Sequence, residues 1–381
     1  MADLTNVVNV GISDESVTLF EAQYKVNGMA YNSYLIKDEK TAVLDTVDLR
    51  YGEKWIENIK ATGSIPDYLF ITHMEPDHSS NITRFMCEFP NAKIVANAKA
   101  FSMIKNFFGT DFADRKIEVK DGETFSLGQC ELLFLAAPMV HWPEVQMIYD
   151  KTDKILFSAD AFGRFGRGEK SDKWADEARR YYFGIVGKYG MQVQAVLKKV
   201  AALDVEAVCP LHGEILTENL EYYIGLYDKW SSFAPEEKGA AIFYTSVYGN
   251  TEKAILRLAD EIAAISDKRP PLFNLSACDM AEAVAAAFRF SHIALATTTY
   301  NMDIFPFMHD FIARLVERNF KNRKIGLIEN GSWAPNAVKV MTALLEPCKD
   351  IVFCEQKVKI SSAMTEQNLN EIKALAKELT E

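Results

Sequence analysis

The change of hydrophobic pattern near Trp230 constrains the fold of this chain more than any other feature of its sequence. Beyond this point, apolar runs of strand length alternate with amphipathic runs of helix length. The predicted strands cover residues 240–245, 293–296, 324–328 and 351–353, and the predicted helices cover 251–265, 307–318, 337–345 and 365–379. This alternation predicts an open, doubly wound parallel sheet, a fold that binds ligands at the carboxyl ends of its strands.

The half that precedes Trp230 contains many short predicted strands and few helices. The predicted strands cover residues 17–20, 34–36, 42–44, 68–71, 93–96, 132–135 and 155–157, and the predicted helices cover 51–60, 79–88 and 99–108. A longer amphipathic region covers residues 173–203, and we expect Gly187 and Gly190 to break it. Many strands with a few interspersed helices favour a layered α/β domain with mixed sheets.

The two halves are separated by residues 231–239, which are polar, contain Pro235 and Gly239 and lack periodicity. Such a segment is typical of a linker. A chain of 381 residues is also longer than one ordinary core requires. We therefore predict two domains, residues 1–235 and residues 238–381.

Composition and charge exclude several classes of function. The chain has 42 basic and 53 acidic residues, and its net charge of -11 disfavours binding to nucleic acid or to anionic membranes. Its first residues lack a basic region followed by an apolar one, and no later stretch approaches about 18 uninterrupted apolar residues. The six cysteines include no C-x-x-C pair. We therefore expect a cytoplasmic protein with reduced thiols.

Potential metal ligands are concentrated directly after the predicted strand 68–71. Four of them lie within six residues, on a turn stiffened by Pro76: His73, Glu75, Asp77 and His78. A single histidine on a loop is usually an exposed residue without a specific function. A requirement for stability alone, however, does not explain why four potential ligands lie so close together.

Three further candidates each follow an apolar run: His141, Asp160 and His212. Sheets present functional groups on loops at such strand exits. Four of the six histidines thus belong to one predicted site, whereas we interpret His292 and His309 as structural. A set of four imidazoles and three carboxylates suits non-haem iron, because iron accepts mixed histidine and carboxylate ligation.

The pattern H-x-(E/H)-x-D-H, followed by a distant His, an Asp and a final His, resembles that of the metallo-β-lactamase superfamily, which implies an αββα sandwich. Zinc hydrolases of this superfamily usually have His where this chain has Glu75. The Glu75 variant resembles the flavodiiron proteins, also called A-type flavoproteins, as do the stretches 141–144 and 177–182. The resemblance covers essentially the whole chain. The segment 162–173 is shorter than the family loop after the bridging Asp, which leaves substrate access open.

The resemblance also implies the role of each ligand. His73, Glu75 and His141 would bind one iron, Asp77, His78 and His212 the other, and Asp160 would bridge the two. Because the first histidine is not a ligand in every member of the family, the resemblance leaves open whether His73 binds iron.

The first predicted strand of the C-terminal domain leads into a loop rich in hydroxyl groups, after which a helix begins. Its residues are Ser246, Val247, Tyr248, Gly249, Asn250 and Thr251. Hydroxyls and backbone N–H groups at a helix N-terminus form a phosphate cradle. The loop has no lysine, which argues against a P-loop nucleotide triphosphatase. It resembles the flavodoxin loop that holds the phosphate of FMN without a formal cation.

Two more loops follow later strands of the same domain, and flavodoxin-like domains hold the isoalloxazine ring with such loops. Their residues are Thr297, Thr298, Thr299, Tyr300 and Asn301 in the first loop, and Asn330, Gly331, Ser332 and Trp333 in the second. Gly331 and Ser332 permit close backbone approach to a ligand. We therefore expect Trp333 to stack on the flavin ring, with Tyr300 as the second candidate.

The resemblance implies an oxidoreductase that reduces O2 to water, NO to N2O, or both, at a di-iron site, with electrons relayed through FMN. It also implies a head-to-tail homodimer or a dimer of such dimers. The chain lacks a C-x-x-C module, so we expect an external electron donor such as rubredoxin or a reduced deazaflavin. Ligand identity does not determine the preference between O2 and NO, which depends on the residues around the ligands.

Two alternatives remain open from the sequence. The first is a zinc hydrolase of the metallo-β-lactamase type with an accessory flavodoxin domain. The second is a flavodoxin-type electron carrier whose N-terminal domain is a degenerate docking module. The complete set of seven candidate ligands argues against the second, because degeneration removes ligands.

Overall fold

The computed structural model describes residues 3–381, and its contacts divide the chain into two compact units, Met1–Asp228 and Lys229–Glu381. The strands of the N-terminal unit are β1 (Val7–Asn9), β2 (Ile12–Asp14), β3 (Leu19–Phe20), β4 (Tyr24–Lys25), β5 (Met29–Tyr31), β6 (Tyr34–Ile36), β7 (Ala42–Leu44), β8 (Tyr68–Phe70), β9 (Lys93–Ala96), β10 (Lys116–Glu118), β11 (Thr124–Ser126), β12 (Glu131–Ala136), β13 (Gln146–Asp150), β14 (Ile155–Phe157) and β15 (Ala207–Cys209). Its helices are α1 (Gly52–Ala61), α2 (Pro76–Ser79), α3 (Ile82–Glu88), α4 (Ala98–Phe108), α5 (Trp174–Tyr181) and α6 (Gly190–Val200), and α7 (Leu220–Ser232) crosses the boundary between the units.

Two mixed sheets pack face to face in the N-terminal unit. The first has the strand order β1-β6-β7-β8-β9-β10, and the second has the order β11-β12-β13-β14-β15. Rings of the two sheets meet between them, with centroids 5.8 Å apart for Phe70 and Phe134 and 5.5 Å apart for Tyr34 and Phe157. On the other face of the first sheet, Trp55 of α1 packs against Phe85 of α3. The predicted αββα sandwich is therefore confirmed.

The amphipathic region 173–203 is interrupted in its middle, as predicted. A π-helical turn, Tyr182–Val186, and a 3-10 turn, Gly187–Tyr189, separate α5 from α6. The predicted helix 79–88 is also divided, because α2 ends at Ser79 and α3 begins at Ile82.

The C-terminal unit alternates strands and helices. Its strands are β16 (Glu237–Tyr244), β17 (Leu272–Asn274), β18 (Phe290–Tyr300), β19 (Asp303–Ile304), β20 (Arg323–Asn330) and β21 (Ile351–Ile360), and its helices are α8 (Asn250–Ser266), α9 (Met280–Arg289), α10 (Pro306–Glu317), α11 (Ala337–Leu344) and α12 (Glu366–Glu378). The main sheet has the order β17-β16-β18-β20-β21, and all its pairs are parallel. The sequence did not indicate β17 or α9.

Helices cover both faces of this sheet. On one face, α8 and α12 bury Ile255 and Leu375 in a core that they share with Ile242 of β16. On the other face, Phe311 of α10 stacks on Phe243 of β16, with ring centroids 4.7 Å apart. Successive residues of β16 thus enter opposite cores, as a strand period of two requires. The predicted doubly wound sheet is confirmed.

The connection between the two domains is shorter than the predicted linker, residues 231–239, because α7 continues to Ser232 and β16 begins at Glu237. The intervening residues are held by side-chain hydrogen bonds within the C-terminal unit. Trp230 donates to the Glu236 carboxylate at 2.6 Å, and the buried Arg323 donates to the Phe233 carbonyl at 2.8 Å. The polar sequence indicated a linker, but these two hydrogen bonds hold residues 233 and 236 in place. Among residues 3–381, no helix combines the length and the hydropathy needed to cross a membrane.

Candidate di-metal centre and flavin cavity

The loop after β8 carries four of the seven predicted metal ligands. The short helix α2 begins at Pro76, whose fixed φ suits the first helical position. The buried Asp45 holds the exit of β8, because its carboxylate accepts hydrogen bonds from the Thr72 N–H at 2.8 Å and from the Thr72 hydroxyl at 2.7 Å. These bonds fix the backbone directly before His73.

The other three predicted ligands lie on loops of the second sheet. Asp160 and His212 follow β14 and β15, which are parallel neighbours, so their carboxyl ends lie at the same edge of the sheet. His141 lies further from its strand, because β12 ends at Ala136.

The structure brings all seven side chains together in two groups. In each group, one ligand atom from every residue lies within 4.8 Å of the others: His73, Glu75, His141 and Asp160 form one group, and Asp77, His78 and His212 form the other. This division coincides with the two ligand sets that the family resemblance implies.

Asp160 lies between the two groups and faces both. Its Oδ2 is 3.3 Å from the Nε2 of His73 and 3.2 Å from that of His141. Its Oδ1 is 3.4 Å from the Nε2 of His78 and 3.9 Å from that of His212. One carboxylate oxygen is therefore available to each group, which is the arrangement that a bridging ligand needs.

Charges in the first group balance one another. Burial alone would raise the pKa of Glu75, but the hydrogen bond with His141 at 2.8 Å and the nearby imidazole of His73 outweigh it and lower that pKa to about 2. Burial likewise opposes the protonation of His141, yet its bonds to Asp160 and Glu75 raise the pKa of His141 to about 9. In the second group, burial lowers the pKa of His78 to about 4. A bound metal cation would take the place of the protons on these imidazoles, because histidine binds metals in its neutral form and carboxylates bind them when ionised.

Several polar atoms of the centre are buried without a hydrogen-bond partner among the described residues. They are Nε2 of His73, both carboxylate oxygens of Asp77, Nδ1 of His78 and Oδ1 of Asp160. Burying such atoms unpaired costs free energy, so a cluster of them indicates a bound partner of another kind. Mixed nitrogen and oxygen donors without a thiolate suit two non-haem irons, and these residues therefore fit the metals that the resemblance implies.

His212 is oriented for ligation by its own second nitrogen. Its Nδ1 lies 2.7 Å from the carbonyl oxygen of Ala30, a partner that fixes the proton on Nδ1 and leaves Nε2 free. The Nε2 atoms of His212 and His78 are 3.0 Å apart, so both face the same small volume.

Two residues near the centre were not identified as site residues from the sequence. The buried Tyr181 packs on His212, with ring centroids 5.5 Å apart, and its hydroxyl has no hydrogen-bond partner among the described residues. Burial, together with the charges of Asp160 and Glu75, raises the pKa of Tyr181 well above its usual value. The stretch 177–182, noted for its family resemblance, was the only sequence signal for it.

Glu21 is the second such residue, and it lies on the turn between β3 and β4. Its carboxyl lies near that of Glu75. Partial loss of hydration beside the centre and the charge of Glu75 raise the pKa of Glu21 to about 7, although the residue as a whole is exposed. Nothing in the local sequence marks this position.

The C-terminal unit has a cavity of about 350 Å³ at the carboxyl edge of its sheet. It is lined by residues of all three predicted flavin loops: Ser246, Val247, Tyr248, Asn250, Thr251, Thr298, Thr299, Tyr300, Asn330, Gly331, Ser332 and Trp333. A fourth segment contributes Ser362, which the sequence did not indicate because the strand before it was predicted to end at Phe353.

Three predicted flavin-binding residues do not line this cavity. Gly249 instead precedes α8 with a φ of 83°, a conformation that glycine adopts without strain. Thr297 is buried in β18, and its hydroxyl lies 2.6 Å from that of Thr245. Asn301 lines a separate depression with His309 and Asp310.

The cavity has the polar groups that FMN requires. Thr251 and Thr298 line it, and the Oγ1 atom of each is buried without a partner among the described residues. Thr251 lies in the first turn of α8, where backbone N–H groups favour an anion. The rings of Trp333 and Tyr248 are 80% and 92% exposed at the cavity, so each presents a free face to a flavin.

The comparisons with known proteins agree with this geometry. A family model described as "ODP family beta lactamase" matches residues 29–213, a range that contains all seven predicted ligands. The chain is 28% identical over 360 residues to a protein named anaerobic nitric oxide reductase flavorubredoxin from Salmonella arizonae, covering 90% of this chain and 74% of that relative. A protein of the same name from Escherichia coli is 28% identical over 356 residues.

Solved structures extend the likeness to both units. The flavodiiron protein from Giardia intestinalis matches with a TM-score of 0.91 and 25% identity, over 98% of this chain and 94% of that one. The rubredoxin oxygen:oxidoreductase from Desulfovibrio gigas matches with a TM-score of 0.90 and 24% identity, over 98% of this chain and 96% of that one.

Proposed function

This chain belongs to the flavodiiron protein family, and we propose that it reduces O2 to water, NO to N2O, or both, at a non-haem di-iron centre with electrons relayed through FMN. Relatives named for nitric oxide reduction and a structural neighbour named as an oxygen oxidoreductase support both substrates. The enzyme is therefore an oxidoreductase.

The placement of Asp160 carries this proposal. Its two oxygens face different groups of ligands, and these groups contain two further carboxylates, Glu75 and Asp77. Zinc hydrolases of this superfamily usually have a histidine at the position of Glu75. Carboxylate-rich ligation favours iron over zinc, and a hydrolase has no use for a flavin cavity.

We assign the ligands by group. His73, Glu75 and His141 would hold one iron, Asp77, His78 and His212 would hold the other, and Asp160 would offer one oxygen to each. His73 is included because its unpartnered Nε2 lies 3.3 Å from Asp160 and 3.7 Å from Glu75, inside the first group.

When bound, the two irons would supply a redox-active site at which a diatomic gas is reduced, and FMN would supply electrons to this site one at a time. The residues of the chain hold and shield this site. Asp160 fixes the spacing of the two ligand groups, and the rings of Phe20, Tyr31 and Tyr181 surround His212 and exclude water from it. The Tyr181 hydroxyl is free to donate a hydrogen bond to the substrate.

FMN would occupy the cavity of the C-terminal unit, where Ser246 and Thr251 would hold its phosphate and Trp333 would stack on its ring. The unpartnered hydroxyls of Thr251 and Thr298 support this placement. Asn250 would contribute its backbone group at the start of α8, whereas Gly249, Thr297 and Asn301 do not line the cavity.

The proposal also includes the partners of the enzyme. A head-to-tail homodimer would bring the flavin of one subunit to the di-iron centre of the other, and the exposed aromatic rings at the cavity offer apolar surface for such an interface. An external carrier such as rubredoxin or a reduced deazaflavin supplies electrons. We place the enzyme in the cytoplasm, unassociated with nucleic acid or membranes.

Metal and flavin analysis of the purified protein tests the proposal together with anaerobic assays of O2 and NO consumption under a common electron donor. We expect about two irons and one FMN per chain. Asp160→Asn should abolish consumption of both gases, whereas Asp114→Asn, a change at an exposed carboxylate, should not. Zinc without flavin, or undiminished turnover of Asp160→Asn, would contradict the proposal.

A further inference from the structure

The loop after β21 forms a fourth wall of the flavin cavity. Ser362, in this loop, lines the cavity together with residues of the three loops after β16, β18 and β20. The outermost strand of the sheet, β21, pairs with β20 as far as Asn330 and Ile360, so the loops that follow the two strands begin side by side.

Hydrogen bonds bind this loop firmly to the loop after β20. The side chain of Asn330 donates to the carbonyl of Ser362 and accepts from its N–H, both at 3.1 Å. The N–H of Gly331 donates to the carbonyl of Ile360 at 3.0 Å. The two hydrogen bonds with Asn330 hold Ser362 at a φ of 70°, in the left-handed region. The backbone position of Ser362 is therefore fixed by Asn330.

This conformation places the hydroxyl of Ser362 against that of Ser332, with the two Oγ atoms 2.6 Å apart. Each hydroxyl has one proton and two lone pairs, so one proton serves the bond between them and one remains. Both residues line the cavity, and neither hydroxyl has a second partner among the described residues. The pair thus offers a ligand one donor and several acceptor sites.

The order of the strands places this pair at one end of the cavity. The phosphate loop follows β16, whereas Ser332 and Ser362 follow β20 and β21, on the other side of β18. Ser332 also adjoins Trp333, whose exposed ring is available for stacking. The pair is therefore positioned for the ring of a flavin and not for its phosphate.

We propose that the hydroxyl pair of Ser332 and Ser362 hydrogen bonds to the isoalloxazine ring and thereby sets both the affinity for FMN and its reduction potential. This inference rests on the proposed function, since it requires that FMN occupies the cavity. Reduction changes the charge and the protons of the ring, so a hydroxyl that contacts its polar edge interacts differently with the two redox states.

Titration of the full-length protein with oxidised FMN, after removal of its own flavin, measures the affinity. Ser362→Ala should raise the Kd about five-fold, which corresponds to the loss of one hydrogen bond. Ser362→Gly, which removes the Cβ atom together with the hydroxyl, should raise it equally, because glycine adopts the positive φ without strain. The two serines share one hydrogen bond. The loss of binding free energy in the double variant, Ser332→Ala with Ser362→Ala, should therefore be smaller than the sum of the losses in the two single variants.

Three further measurements decide the result. Riboflavin, which lacks the phosphate, should suffer the same fold-loss as FMN, and the midpoint potential of the bound flavin should shift in Ser362→Ala. Ser361→Ala, a change at the exposed neighbour, should leave the Kd and the potential unchanged. An unaltered Kd in Ser362→Ala, a loss confined to FMN, or an equal loss in Ser361→Ala would overturn the inference. Failure of the unaltered protein to bind FMN would instead contradict the proposed function.

Discussion

A buried ion pair between Arg164 and Glu214 joins the loop that carries Asp160 to the loop that carries His212. The guanidinium of Arg164 also donates to the carbonyl oxygens of Phe165 and Arg167, both at 2.9 Å. Its side chain packs against Gly213, where a Cβ atom would lie 2.8 Å from the Cγ of Arg164. The loops of Asp160 and His212 are thus joined by one side chain outside the candidate metal centre.

Replacement of Arg164 by Met should destabilise the N-terminal unit and reduce its iron content. The change leaves the carboxylate of Glu214 buried without its cation, which costs about 3–5 kcal/mol. For a unit of this size, that loss lowers the midpoint of thermal unfolding by about 10 °C. Calorimetry of the metal-free protein measures this shift, and iron analysis of the purified variant measures the loss of ligand geometry.

The matched control is Lys170→Met, which removes the exposed ion pair of Lys170 with Glu218 from the same segment. Exposed pairs contribute about 0–1 kcal/mol, so this variant should unfold close to the temperature of the unaltered protein and retain its iron. If Arg164→Met behaved like Lys170→Met, the ion pair with Glu214 would have no role in the centre.

Tyr181→Phe should lower turnover without lowering stability. The phenol hydroxyl is buried without a partner among the described residues, so its removal relieves an unpaired polar group and leaves the thermal midpoint unchanged or raised. If this hydroxyl donates to the substrate, kcat should fall about 100-fold, as for the loss of one donor to a developing charge. Stopped-flow assays with O2 and NO, together with iron analysis, provide the measurement.

Tyr222→Phe is the control for this change, because Tyr222 is an exposed tyrosine of α7. It should retain full turnover. A Tyr181→Phe enzyme with normal kcat and normal iron content would show that the hydroxyl takes no part in the reaction.

The sequence predicted much of the fold because most core strands are short apolar runs. β6, β7, β9 and β14 have the predicted bounds, and every residue of β6, β7 and β14 is buried. The helix α9 was missed because its core face consists largely of alanines, which carry a weak hydrophobic signal. The strand β21 was predicted too short, since it lies at the edge of its sheet and its second half alternates with charged residues.

The candidate site was predictable only where its residues are neighbours in sequence or follow an apolar run. This condition holds for His73, Glu75, Asp77 and His78, which the structure brings together. It does not hold for the ion pair of Arg164 and Glu214, whose partners are 50 residues apart, or for Glu21, which a hairpin turn brings beside Glu75. Such contacts depend on how distant loops pack together, and local sequence patterns do not predict this packing.

Glu75→His should shift the metal preference of the first group from iron towards zinc. The carboxylate of Glu75 lies 2.8 Å from Nε2 of His141, and its replacement by a neutral imidazole removes one anionic donor. Zinc accepts nitrogen-rich ligation, whereas iron of this type favours carboxylates. Metal analysis of protein loaded with equal iron and zinc measures the change, and turnover with O2 and NO should be lost. Glu75→Asp, which keeps the charge, should retain more iron than Glu75→His; equal iron in both variants would contradict the role of the carboxylate.

Trp333→Ala should weaken FMN binding without affecting the stability of the flavin-free protein. The ring is 80% exposed, so its removal breaks few contacts within the chain, and the thermal midpoint of the apoprotein should not move. Stacking of a heteroaromatic ring on an aromatic side chain contributes about 1–3 kcal/mol, which predicts a rise in the Kd of roughly 5- to 150-fold. Fluorescence titration with FMN measures it. Trp333→Phe keeps an aromatic face and should recover most of the affinity, whereas Tyr248→Ala tests the other exposed ring at the cavity. If Trp333→Phe bound FMN as weakly as Trp333→Ala, stacking would not be the source of the affinity.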